Sequence, residues 1–237
     1  MGAWLSLVFS LFGVLLFHPA PPTGRVVAFI GHRQHYPLSC EMRSATDVAR
    51  YWGIPAREEH LIAMLPRSDD PNAGFVGRLS APAGSLPPLG YGVYAPPVAY
   101  VLRHLGLHAE AHRDFTLAEL REEIAAGRPV IIWATYKMRE RPVLRWETAE
   151  GTTVSIVKGE HTYVAVGYDE GGLYLVDPYD GRTHYFDTET FLRGWSLLGW
   201  MAVTVDGYRA QGVPRLVRIE ETGLRVVTPG GIVLGPW

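Results

Sequence analysis

The apolar residues of this chain change their period once, and that change limits the fold more than any other feature. Up to about residue 126 they recur at helical spacing. Beyond it they alternate or form short apolar runs. In CEMRSATDVARYW (40–52), Ala45, Val48, Ala49 and Trp52 share one helix face. Ser39 stands where an N-cap belongs and Gly53 where a C-terminal cap belongs. Further helices are predicted over 57–65, closed by Pro66, over 97–105, and over 116–126, where Thr116 and Glu119 form a capping box. After a first short strand at 25–31, the remaining strands fall in the second half. They are 129–135, a hairpin of 143–147 with 153–157, a second of 161–168 with 173–177, then 183–187 and 200–205; one short helix covers 188–195. Helices first and an antiparallel sheet second define an α+β protein.

Segment 67–95 is long, rich in Pro and Gly and irregular, and such loops are usually functional. Residues 3–17 are apolar with no Lys or Arg before Arg25. A run of about 15 fits a secretory signal better than a spanning helix of about 20. The expected organisation is a signal peptide or N-terminal anchor plus linker at 1–23, one domain over 24–206, and a small β extension over 207–237. The expected location is outside the cytoplasm, secreted or attached to the membrane through 3–17. Lys and Arg number 22 against 24 Asp and Glu, with no basic run, which argues against nucleic acid as a partner. A single cysteine rules out an internal disulfide framework and thiolate zinc clusters.

That cysteine, Cys40, opens a helix, where backbone N–H dipoles lower a thiol's pKa towards the nucleophilic thiolate. An inert buried cysteine is the alternative. Gln34, six residues earlier, carries an amide that could join the Cys40 N–H in an oxyanion hole; the plain alternative is a solvated loop glutamine. Among nine histidines, His161 stands out because it opens a strand at the edge of a core hairpin; His184, also on a strand, is the runner-up. Asp177 ends LYLVD before Pro178, where a carboxylate could fix the tautomer of an imidazole; an Asp-Pro turn is the alternative. With a four-residue turn at 169–172, Asp177 falls opposite Val164. A bulge, strand twist or asymmetric turn must bring it to His161. Phe75 and Tyr91 in the long loop are candidate substrate contacts or loop anchors. There is no HExxH; a His32–His35–Cys40 metal set would use the same sulfur, and neither metal nor cofactor is expected.

Four blocks in order, QHYPLSCE, GRPVIIW, GEHTYVAVGYD and LYLVDPYDG, resemble the papain-like cysteine peptidases of the bacteriocin-processing (double-glycine leader) peptidase-like family, over about residues 26–205. The resemblance is to the stand-alone exported form. It implies a papain-like fold, a Cys40–His161–Asp177 triad forming a thioester acyl-enzyme, Gln34 in the oxyanion hole, and a peptide or protein substrate. The chain departs from the transporter-fused members twice. It has no P-loop, so leader processing does not carry over, and Glu41 follows Cys40 where those members typically have glycine. A non-catalytic peptide-binding module and a cell-wall peptide amidase or transpeptidase are the alternatives.

Overall fold

The computed structural model describes residues 24–208 and the strand residues 217–220, 223–227 and 233–234. The expectations for residues 1–23, and for the rest of the tail, lie outside the described residues. In chain order the elements are β1 (Arg25–Val26), α1 (Cys40–Tyr51), α2 (Glu58–Met64), β2 (Val76–Gly77), β3 (Gly90–Gly92), α3 (Ala95–His104), β4 (Leu107–His112), α4 (Leu117–Ala125), β5 (Val130–Thr135), β6 (Val143–Glu147), β7 (Thr153–Val157), β8 (Glu160–Tyr168), β9 (Gly172–Asp177), β10 (Arg182–Asp187), α5 (Thr188–Ser196) and β11 (Ala202–Tyr208). Three tail strands, β12 (Val217–Glu220), β13 (Gly223–Val227) and β14 (Val233–Leu234), pair in a sheet of their own.

The main sheet is antiparallel in the order β10–β9–β8–β5–β11–β4, with β1 added beside the end of β8. It is the core layer of an α+β domain. Residues Ile131, Trp133, Val164 and Val176 face the cluster built on α1 and α3. Val130, Ile132, Tyr163 and Leu175 face a second cluster built on α4 and α5. Helices on both faces explain why β5 reads as an unbroken apolar run instead of an alternating one.

α1 is buried all round from Cys40 to Ala49, because the sheet covers one side and α2 and α3 pack against it elsewhere. Its buried charges are paired: Arg43 donates to Asp47 Oδ1 at 2.6 Å and to Glu58 Oε2 at 3.3 Å. Ser39 starts the helix through its carbonyl, which accepts from Arg43 N–H at 2.8 Å. Its hydroxyl, expected as the cap, instead donates to Glu58 Oε1 at 2.5 Å. At the far end Gly53 takes φ +83°, and Gly53 N–H and Ile54 N–H bond to the Arg50 and Ala49 carbonyls. That double bond pattern is the glycine-dependent cap the sequence predicts. The Thr116–Glu119 capping box of α4 is likewise formed on both sides.

Four strands differ from expectation: β2 and β3 pair within segment 67–95, which reads as irregular in the sequence, and β1 and β4 differ in the main sheet. The strand predicted over 25–31 is in register only at Arg25 and Val26, with Val27 N–H bonding to Val166 O. Beyond that point the edge of β8 is occupied, because Val130 of β5 already faces Ala165. β4 was not predicted, since LHAEAH is poor in β-branched residues; it exists because β11 pairs with it residue by residue. His108 and His112 therefore sit on a strand.

The register of β8 with β9 matters most for the site. Tyr168 faces Leu173 and Gly167 faces Tyr174, but Ala165 faces Leu175 and Val164 faces Val176. Val166 is the extra residue, a one-residue bulge.

Candidate active site

Three elements converge on one cavity of about 330 Å³: the start of α1 with Cys40, the start of β8 with Glu160 and His161, and the loop before α1 with Gln34. Tyr136, Tyr179 and Tyr91 supply aromatic wall, and Arg141 adds a cation.

Asp177 meets His161 behind that wall. Continued without the bulge, the hairpin register puts Asp177 opposite Val164, on the face towards α1. The Val166 bulge shifts it by one, level with Tyr163, on the face His161 occupies. His161 Nε2 then donates to Asp177 Oδ1 at 2.7 Å, and Tyr179 N–H donates to the same oxygen at 2.8 Å. Burial opposes ionisation of Asp177, but the His161 and Tyr179 donors outweigh it and hold the carboxyl below its ordinary value. An ionised acceptor at Nε2 leaves the lone pair of neutral His161 on Nδ1. The ring is fixed edge-on by Tyr163, with centroids 4.8 Å apart, and by Tyr136 at 5.3 Å. His184, the runner-up, bonds instead to Asp180 at 3.0 Å.

Cys40 is 6% exposed and its Sγ contacts Glu41 Oε2 at 3.3 Å. The dipoles of the helix start, expected to favour the thiolate, are outweighed here. Burial first, then the Glu41 and Glu160 carboxyls, push the thiol well above its ordinary value, and the Thr162 donors that favour the thiolate do not offset them. The helix N-terminus faces two acidic groups that motif spacing does not reveal.

Gln34 lines the cavity, and its backbone N–H is bonded to Pro178 O at 2.7 Å, next to Asp177. Its amide donates to the Tyr36 and Pro37 carbonyls at 2.7 and 3.1 Å. Serving an oxyanion requires releasing one of these. Tyr91 reaches the cavity, and its hydroxyl is bonded to Tyr94 OH and accepts from Val157 N–H. Phe75 does not line this cavity; its ring is buried in the core, with the Arg67 guanidinium 5.1 Å from its centroid.

Glu41 and Glu160 are the residues the sequence reasoning missed as a pair. Glu41 is 1% exposed, and its Oε1 accepts from Val93 N–H at 2.7 Å. Both Glu160 oxygens are sealed from solvent and have no hydrogen-bond partner among the described residues. Burial raises both carboxyls, and the nearby Glu41 charge raises Glu160 further. Gly92, at φ +137°, makes the space: a Cβ there would lie 2.3 Å from Glu41 Oε1 and 2.9 Å from Glu160 Oε2. The available signal was Glu41 itself, a charge immediately after the cysteine in a helix with a strong apolar face. Among the described residues two donor sets are close enough to hold an ion, Cys40–Glu41–Glu160 and Asp177–Asp180–His184, and each shares a group with the arrangement above.

The chain is 27% identical over 179 residues to YvpB of Bacillus subtilis strain 168, an uncharacterised protein, covering 70% of this chain and 68% of that one. A crystal structure assigned as a C39-like peptidase from Bacillus anthracis superposes with a TM-score of 0.68 at 26% identity, over 77% of this chain and 97% of that one. A more distant likeness is to a double-glycine-motif protease from an AMS/PCAT transporter, solved with its leader peptide: 16% identity, TM-score 0.46, covering 76% and 93%. The fold is that of the papain-like C39 peptidases. Over residues 27–203 the chain matches the model of the Peptidase C39 like family, and it belongs to that family.

Proposed function

We propose that this chain is an exported cysteine peptidase that hydrolyses peptide bonds through Cys40, His161 and Asp177. The observation that carries the reading is the His161–Asp177 bond at 2.7 Å beside a cavity that Cys40 and His161 both line. Family membership supports the same chemistry. Cys40 Sγ attacks the amide carbonyl while its proton passes to His161 Nδ1. The carbonyl oxygen becomes an oxyanion held by the Cys40 N–H and by Gln34 once its amide leaves the Tyr36 and Pro37 carbonyls. Collapse expels the amine, which takes the proton from His161, and leaves a thioester. Water, deprotonated by His161, attacks the thioester; the acid leaves and the Cys40 sulfur takes the proton back from His161. Asp177 keeps the imidazole in the tautomer this sequence needs. Tyr91, Tyr136 and Tyr179 line the peptide's path. The apolar segment 3–17 supports action outside the cytoplasm, secreted or held at the membrane.

One observation favours a second reading, a module that binds peptide without cleaving it: the Cys40 thiol donates to Glu41. Incubation with a peptide mixture, read by mass spectrometry, separates the two. New termini from wild type, absent with Cys40→Ala, support the peptidase; retention of intact peptide by both proteins overturns it. A joined product in the presence of an added amine would redirect the reading to a transpeptidase.

A further inference from the structure

Cys40, Glu41 and Glu160 place three proton-binding groups together at the wall of the cavity, with Sγ and a carboxylate oxygen from each glutamate all within 4.8 Å of one another. Two ionised carboxylates that close, without a cation between them, repel strongly once water is excluded. Arg141, the cation on the cavity wall, makes no ion pair with either among the described residues. The hydrogen bonds also divide unequally. Glu41 accepts from the Cys40 thiol and from Val93 N–H, as a carboxylate does, whereas the Glu160 oxygens accept from nothing among the described residues. Gly92 leaves both carboxyls side by side.

We propose that Glu41 and Glu160 act as one charge-coupled pair with a single negative charge, carried by Glu41 against Sγ while Glu160 stays protonated, which holds resting Cys40 as a thiol. This rests on the nucleophilic role given to Cys40 above. Glu41 touches the reacting atom, and Glu160 acts through Glu41. The resting site is then not a preformed thiolate–imidazolium pair. The proton leaves Sγ for His161 Nδ1 as the sulfur's electron pair forms the bond to the carbonyl carbon, and the charge of the glutamate pair is the same before and after. The other ionisable groups around the sulfur are His161 and Tyr163 on β8, Tyr91 on β3, and Tyr136, Arg141 and Tyr179 on the cavity wall; burial holds the Tyr91 and Tyr163 hydroxyls neutral.

The single cysteine makes the test direct, because every S–H vibration in the protein belongs to Cys40. Infrared spectra of wild type at pH 7 are expected to show an S–H band and a band from one buried protonated carboxyl. Cys40→Ser removes the first. Glu160→Gln removes the second and keeps the first. Alkylation of the Glu41→Gln/Glu160→Gln double variant at pH 7 is expected to be about tenfold faster than wild type, the effect of removing one close charge. Each single variant should gain less than half of that on a logarithmic scale, since either carboxyl alone can carry the charge. Absence of the S–H band in wild type, or a double variant labelled no faster than wild type, overturns the proposal. Peptide hydrolysis by the same wild-type sample separates the two claims. Hydrolysis without an S–H band refutes only the pair, and both bands without hydrolysis refute only the peptidase.

Discussion

His161 and Asp177 meet on a diagonal of the β8–β9 ladder only because β8 carries one extra residue, Val166, between their ladder positions and the hairpin turn. A strand shifted by one residue turns every side chain to the other face. The bulge therefore decides whether the carboxylate reaches the imidazole or points towards α1.

Asp177→Asn is expected to preserve the fold and slow acylation about 10²-fold, the scale of one general acid–base contribution. The amide can still meet His161, but it does not dictate which ring nitrogen keeps the lone pair. Single-turnover kinetics and near-ultraviolet circular dichroism check the two halves of this expectation.

The same carboxylate leaves a mark on acid stability. Asp177 is held below its ordinary value in the fold. Its stabilisation is therefore fully present above the unfolded value of about 3.9 and is lost as pH falls through the lower folded value. Wild type should melt higher than Asp177→Asn above about pH 4, with the two converging as pH falls further. Thermal melts at half-unit pH steps measure this. Parallel curves would refute it.

Gly92→Ala should cost on the order of 2 kcal/mol or more, because the backbone there disfavours a side chain and the new methyl displaces two buried carboxyls. Gly84→Ala is the control: its φ is +78° but a Cβ meets nothing within 4 Å, so it should cost only about 1 kcal/mol. Urea unfolding of the two variants gives the comparison.

Arg43→Ala is expected to destabilise by roughly 3–5 kcal/mol, since it strands Asp47 and Glu58 as buried charges. Those carboxylates also hold the segment before Cys40, Asp47 through His32 N–H and Glu58 through the Ser39 hydroxyl. The variant should accordingly expose segment 32–39 to faster hydrogen exchange.

Much of the fold was legible because local signals agreed with tertiary packing. The α4 capping box, the Gly53 cap of α1 and the apolar run of β5 each appear where the spacing predicted. β4 was hidden because its residues have little intrinsic strand preference and depend on β11. The truncation of β1 depended on competition for one strand edge, which no local pattern encodes. Cys40, His161 and Asp177 were readable as types at motif spacing, and their placement required the bulge. The Glu41–Glu160 encounter was not readable. Strand alternation and helix spacing describe each residue against its own neighbours, whereas these two stand 119 residues apart on different elements, which the Ser44–Thr162 bond also joins.

The segment from Gly24 to Gln34 is stitched to the hairpin that holds His161 and Asp177 at two places, Val27 N–H to the bulge carbonyl of Val166 and Gln34 N–H to Pro178 O. Tension applied at the N-terminal end of this domain would therefore be felt first by that hairpin. Arg25 and Val26 pair with Tyr168 and Gly167 at the turn end of that hairpin, across the Val166 bulge from His161, so the bulge stands between such a pull and the imidazole.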